Sequence, residues 1–326
     1  MQSSASKNRT VVRSRNAVRL TRAALQTAYV VSEDLGTSLA ERLFTTPRRH
    51  ARPDRERAVL ATARELTIEI TLRAPRWNGA RTSIAAWKWG QGPTVLLVHG
   101  WEGRGSQLGS FVEPLVAAGM SVVAFDAPGH GDSPDSRLYL SDLADTVADV
   151  ALAIGPIHTI VAHSFEAAAV LLAHARAGTS ADRNVLIAPN VLIDDSVRRF
   201  AHLVGIDDRD RIALEQRLAD QSGVGIDELA LDRLAGTRDD ALLVFHDHDD
   251  HEVPFEHGDR LAATWSQAEL YTTEGLGHRR ILRDPGVLAA TVAFVREGVD
   301  APTSDLVREV DRQLELADAP ADRRPS

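Results

Sequence analysis

The sequence predicts an α/β protein with a mainly parallel central sheet and helices on both faces. Three observations carry this. From residue 94 onward, short apolar runs alternate with helical stretches, the pattern of repeated strand–helix–strand units. The first of these runs, residues 94–98, is continuously apolar, as a strand covered on both faces must be. One strand-to-helix junction carries Ala162-His163-Ser164-Phe165-Glu166, a sharp turn with a serine at its tip.

The elements follow in order. Residues 20–66 read as helices broken at Thr46-Pro47 and Arg52-Pro53, with 25–44 as one amphipathic helix. Leu66, Ile68, Ile70 and Leu72 alternate with polar residues, which marks a half-buried strand. The Asn78-Gly79 turn leads to a second strand over 83–89. Strands are then expected at 94–98, 121–125, 157–162, 185–188, 241–245 and 268–271. Helices are expected at 108–118, 141–154, 165–177, 255–264 and 285–297. Between Pro189 and Asp239 the alternation stops, and about fifty residues are polar and helical. Such an insertion falls over the carboxyl ends of the strands, where open α/β sheets bind ligands. The expected organisation is an N-terminal helical extension (1–75), the α/β domain (76–299) with a helical lid insertion (190–238), and a C-terminal tail (300–326).

Composition narrows the chemistry. The chain has 326 residues, enough for a sizeable core, and no cysteine, which excludes disulfides and thiolate metal sites. Net charge is −9, but residues 1–57 hold twelve Lys or Arg and five Asp or Glu, leaving about −16 on the remainder. Lys7, Arg9, Arg13, Arg15, Arg19 and Arg22 precede any acidic residue. They fit a helix packed on the domain with solvated arginines, or a helix lying on an anionic membrane surface; the packed helix is favoured. No apolar run reaches the roughly 18–20 residues that span a bilayer, and no compact apolar segment follows the basic residues as in a signal peptide. A cytoplasmic protein is expected. The acidic body disfavours nucleic acid, and no glycine-rich phosphate loop is present.

Serine hydrolysis needs a nucleophile, a base, an acid that orients the base, and donors for the oxyanion. Ser164 fits the nucleophile. After the 241–245 strand, Asp247, Asp249 and Asp250 compete for the acid. After the last strand, His278 sits in Gly275-Leu276-Gly277-His278 and fits the base. The backbone amides of Phe165 and Trp101 are the expected oxyanion donors; His99 reads as a hydrogen-bonded loop residue.

Taken together, Val98-His99-Gly100-Trp101, the segment from Asp126 to Ser133, the Ser164 turn, Asp250-His251-Glu252-Val253-Pro254 and Gly277-His278 resemble the α/β-hydrolase fold family of serine esterases and related hydrolases. The resemblance covers about residues 83–297. It implies a triad of Ser164, Asp250 and His278, with Asp250 chosen because the family's acid stands four residues before the proline of an Asp-x-x-Val-Pro segment; Asp249 is the fallback. It also implies that the loop from Asp126 to Ser133 is structural. The expected activity is cleavage of a carboxylic ester or related small acyl substrate without a cofactor. The nucleophile turn departs from Gly-x-Ser-x-Gly: Ala162 and Glu166 stand where the family has glycines. Glu166 is the larger departure and supports a second expectation, a catalytically inactive hydrolase-fold binding protein. A third reading comes from His246-Asp247-His248-Asp249-Asp250-His251, which resembles the His-x-His-x-Asp-His zinc motif of the metallo-β-lactamase superfamily.

Overall fold

The structure, a computed structural model, describes residues 18–134 and 136–297. Eight strands form one sheet: β1 Arg64–Leu72, β2 Ala80–Trp89, β3 Thr94–Val98, β4 Ser121–Phe125, β5 Thr159–His163, β6 Arg183–Ile187, β7 Ala241–Asp247 and β8 Ala268–Thr273. Their order is β1-β2-β4-β3-β5-β6-β7-β8. β2 runs antiparallel to β1 and β4, and every pairing from β4 to β8 is parallel.

The period of two along each strand divides the core into two layers. On β5, Ile160 and Ala162 face one layer, which is closed by the helices Leu140–Ile154 and Phe165–Ala177. Val161 faces the other, closed by the helices Val112–Ala117 and Pro285–Glu297. All five β5 residues are buried, as a central parallel strand requires. The 189–239 interval contains the expected helices, chiefly Ile193–Val204 and Asp208–Ser222.

Three expectations are corrected. The sheet begins before residue 76: β1 pairs with β2 from Arg64↔Lys88 to Leu72↔Ala80, so it belongs to the α/β body and not to the extension. The Asp149 carboxylate accepts from the Thr71 N–H at 2.6 Å and pins this edge strand to the body. The single helix expected over 25–44 is two, 18–31 and Glu33–Thr45. Ser32 breaks it, leaving the helical path and capping the second helix through its hydroxyl. Gly36 allows the close turn, since a Cβ there would lie 2.3 Å from the Tyr29 ring. The helix expected over 108–118 opens instead as a tight 3₁₀ segment, Gly105–Phe111, with Gly105 lying against the backbone of Phe125. The expected tail over 300–326 and the basic residues before 18 lie outside the described residues.

The N-terminal helices pack against the insertion. Leu25 and Ala40 form a third small core with Val197, Ala201, Val204 and Leu214. They therefore roof the same end of the sheet that the insertion covers. Among the described residues, no helix is long and apolar enough to cross a membrane.

Further along, the helix Asp54–Leu60 is tied to the loop after β3 by a buried ion pair. Arg104 donates to both oxygens of Glu56, at 2.6 and 3.0 Å, and the Ser106 hydroxyl adds a bond of 2.8 Å. Glu56→Ala is expected to strand the Arg104 charge and destabilise the fold by about 3–5 kcal/mol, read from denaturant unfolding. A loss no larger than that of an exposed pair would show that this contact is solvated.

Candidate active site

β5 ends at His163 and the helix Phe165–Ala177 begins two residues later, so Ser164 makes the whole turn. Its backbone has φ 60° and ψ −127°, a conformation L-residues rarely adopt. Three bonds hold it: the Ser164 N–H donates to Ile187 O (3.0 Å), and the Ser164 carbonyl accepts from Ala167 (3.1 Å) and Asn190 (2.9 Å). The turn lifts the hydroxyl toward the loops after β7 and β8.

Those loops bring the other residues in. His278 opens a short helix, Gly277–Arg280. Its Nδ1 lies 2.7 Å from Asp250 Oδ2, and its Nε2 lies 2.9 Å from Ser164 Oγ. An ionised carboxylate only accepts, so Nδ1 carries the proton and Nε2 is left to accept from the serine hydroxyl. The second Asp250 oxygen accepts from the N–H groups of Glu252 (2.8 Å) and Val253 (2.9 Å). Burial opposes ionisation of Asp250. Hydrogen bonding from His246 and His278 and from the Val253 N–H outweighs it and holds the carboxyl well below its ordinary range.

Asp249 points elsewhere, accepting from Gly275 N–H at 2.9 Å. Asp247 is buried and accepts from the Leu276 N–H (2.9 Å) and the Thr273 hydroxyl (2.7 Å), so it braces the His278 loop. The structure thus brings Ser164, His278 and Asp250 together and leaves Asp247 and Asp249 outside.

Two histidines that sequence reasoning gave no role in the triad stand behind it. His163 is buried, and its Nε2 donates to the His278 carbonyl at 3.0 Å, with the two rings 4.6 Å apart. Burial, and then the neighbouring His278, push its pKa well down, so it is neutral. His246 is fully buried; its Nε2 lies 3.2 Å from the Val253 carbonyl and 3.6 Å from Asp250 Oδ2. The only sequence signal for either was its place at the end of an apolar strand.

The zinc reading is not supported by the side-chain directions. His246 points into the core, His248 stacks on Phe255 at 4.0 Å, and His251 is exposed. Among the described residues no three His, Asp or Glu side chains converge as metal ligands would.

The loops around the expected oxyanion donors are cross-braced. His99 bonds the Gly100 carbonyl through Nδ1 (2.9 Å) and accepts from Ala127 N–H through Nε2 (3.0 Å). Burial pushes its pKa down to about 4, which suits a neutral structural residue. Asp126 accepts from the N–H groups of Gly105 and Asp132, both at 2.7 Å. Gly131 sits at φ 46°, and a Cβ there would lie 1.8 Å from Asp126 Oδ2, so the glycine is required. The Trp101 ring meets the Phe165 ring edge-on at 6.0 Å, which places the two expected donor residues side by side.

Glu166 lies in the first turn of the helix Phe165–Ala177 and is 1% exposed. Neither carboxyl oxygen reaches a hydrogen-bond partner. Burial pushes its pKa well above the usual carboxylate range, and the nearby N–H groups of Glu166 itself and Trp101 only partly oppose this. Burial therefore favours the protonated form of Glu166, which lies beside the Trp101 loop.

Comparisons with known proteins agree with this architecture. Residues 92–210 match the family described as serine aminopeptidase, S33. A non-heme chloroperoxidase of Kitasatospora aureofaciens is 31% identical over 105 residues; the match covers 30% of this chain and 37% of that protein, so the chain spans little more than a third of this curated relative. Among solved structures, a thermophilic esterase from Thermogutta terrifontis superposes with a TM-score of 0.55 at 19% identity, covering 72% of this chain and 99% of the esterase. A putative lipase from Acinetobacter baumannii gives 0.56 at 19% identity, covering 76% and 95%. The esterase Pf2001 of Pyrococcus furiosus gives 0.56 at 15% identity, covering 77% and 98%. The chain has the α/β-hydrolase fold.

Glu166 makes stability depend on pH. The unfolded chain releases this proton near the ordinary carboxylate pKa, the folded chain only well above it. Between the two the folded state binds more protons, so stability falls as pH rises, by at most about 1.4 kcal/mol per pH unit. Glu166→Gln removes this slope. Its melting temperature relative to wild type is expected to climb as pH rises above the ordinary carboxylate pKa. A difference that stays constant with pH would show that Glu166 ionises as an ordinary carboxyl.

Proposed function

We propose that the protein is a serine hydrolase that cleaves a carboxylic ester or related small acyl substrate through an acyl-enzyme. The observation that carries the proposal is His278 bridging Asp250 and Ser164 at 2.7 and 2.9 Å. No metal or organic cofactor enters the cycle.

In this reading, Ser164 Oγ attacks the substrate carbonyl carbon while its proton passes to His278 Nε2. Asp250, already ionised, stabilises the imidazolium through Nδ1–H without taking the proton. The carbonyl oxygen becomes an oxyanion, held by the N–H groups of Trp101 and Phe165. The tetrahedral species collapses, the carbon–oxygen bond to the leaving alcohol breaks, and His278 gives the alcohol its proton. Water then attacks the acyl-enzyme, with His278 as base, and the acid leaves with Ser164 restored. His163, His246 and Asp247 are positioning residues that fix the loops carrying the base and acid.

The second reading, a hydrolase-fold binding protein, draws on Glu166. A buried carboxyl without a partner beside the oxyanion loop is the kind of feature that could move Trp101 N–H off its target. Being neutral, it does not place a second negative charge beside the oxyanion.

Rapid-mixing kinetics with a p-nitrophenyl ester separates the readings. The proposal expects a burst of p-nitrophenol equal to the enzyme concentration, abolished in Ser164→Ala and insensitive to chelators. Asp250→Asn is expected to lower kcat by about 10³–10⁴-fold, because it gives the wrong imidazole tautomer, while Asp249→Asn stays within a few-fold of wild type. A folded wild-type protein without a burst favours the binding-protein reading; equal losses in the two Asp variants would remove Asp250 from the assignment.

A further inference from the structure

Ser164 opens into a cleft of about 1620 Å³ between the N-terminal helices and the insertion. Most small-molecule pockets enclose roughly 300–1,000 Å³, so a short acyl ester would leave this one largely filled with water. Its walls are strongly apolar near the serine and beyond it, with Leu43, Phe44, Leu138, Phe165, Phe200 and Leu218 among them. That lining calls for an aliphatic chain.

The charge on the same walls has the opposite sign to the protein. The chain carries −9, yet the cleft is lined by six arginines against three glutamates, with no aspartate or lysine. Three of the arginines are neutralised by carboxylates: Arg48 by Glu102 at 2.8 Å, Arg279 by Glu252 at 2.9 Å, and Arg198 by Asp194 at 2.8 Å. The other three have no carboxylate partner among the described residues. Arg22 donates only to the carbonyls of Leu203 (2.7 Å) and His202 (2.9 Å), and Arg199 only to the Glu252 carbonyl (3.1 Å). Arg42 makes no hydrogen bond or ion pair at all among the described residues. All three arginines are exposed to solvent. A hydrophobic ligand seated over them leaves a guanidinium unpaired, at a cost in binding energy, unless it brings an anion.

We infer that the substrate is an amphiphilic ester: an aliphatic portion that fills the apolar walls, and an anionic group that pairs with Arg42, with Arg22 and Arg199 adding to the positive field. The inference rests on the reading of Ser164 as nucleophile, and the anion is a carboxylate or a phosphate, both of which the guanidinium fork accepts.

Two esters of equal chain length test it: p-nitrophenyl octanoate, which is neutral, and the mono-p-nitrophenyl ester of suberic acid, which ends in a carboxylate. The wild-type kcat/KM for the anionic ester is expected to exceed that for the neutral one by about tenfold, the size of one charge-assisted hydrogen bond, mostly through KM. That ratio is expected to fall several-fold in Arg42→Gln, further in the Arg22→Gln/Arg42→Gln/Arg199→Gln variant, and with added salt. Equal turnover of the two esters, or a ratio unmoved by Arg42→Gln, overturns the inference while leaving the hydrolase reading intact. Should neither ester react, thermal melts of the Ser164→Ala protein with octanoate, octyl phosphate and octanol decide. Stabilisation by either anion that octanol does not match, and that Arg42→Gln removes, keeps the anion site and discards the hydrolase reading; the better anion identifies carboxylate or phosphate. Equal stabilisation by octanol, or by none of the three, overturns the anion site.

Discussion

The backbone of Ser164 is the constraint on which the rest of the site depends. A residue held at φ 60° costs on the order of 1–3 kcal/mol and persists only where its surroundings over-determine it. Here they do. The N–H of Ser164 extends the β5–β6 ladder to Ile187, and its carbonyl is shared between the first turn of the following helix and the start of the insertion at Asn190. Gly100 completes the arrangement from the facing loop, since a Cβ there would lie 2.7 Å from His163 Nδ1 and 3.1 Å from Ser164 Cβ. The parallel sheet brings the carboxyl ends of β3, β5 and β7 to one edge, and with the serine raised above that edge His278, which follows β8 three strands away, meets it at 2.9 Å.

The second theme is the opposite treatment of two buried carboxyls. Asp250 is surrounded by donors, two backbone N–H groups and two imidazoles, and stays ionised despite its burial. Glu166 is as deeply placed but has no hydrogen-bond partner, and burial pushes its pKa well above the usual carboxylate range. Environments that drive like groups apart in pKa are how one fold keeps charge where the chemistry needs it and removes it elsewhere. In the proposed reaction Asp250 supplies the negative charge that a developing imidazolium requires. In the proposed reaction a charge at Glu166 would lie near the oxyanion and oppose its formation, and burial disfavours that charge.

The sheet was legible because buried parallel strands write themselves as apolar runs between helical periods. Residues 94–98 and 121–125 were read with the bounds that β3 and β4 have. Resemblance to the family's motifs puts Ser164, Asp250 and His278 forward as a set, and the structure brings those three side chains together. Other features depend on tertiary contacts that periodicity does not carry. The break at Ser32 needs the close approach of Gly36 to Tyr29. The placement of β1 in the main sheet follows from its ladder to β2, which a strand pattern alone does not specify. His163 and His246 look like ordinary strand residues until the β7 and β8 loops close over them. The His-Asp cluster from His246 to His251 resembled a metal motif in one dimension, yet the chain leaves the strand within it, so its side chains diverge.

The account stands or falls on an activated Ser164. The most direct measurement is covalent labelling of the folded protein with a fluorophosphonate, with the modified residue mapped by peptide mass spectrometry. Stoichiometric modification at Ser164, lost in Ser164→Ala and strongly slowed in Asp250→Asn, is the predicted result. A folded wild-type protein that does not label, or that labels at another residue, would contradict it.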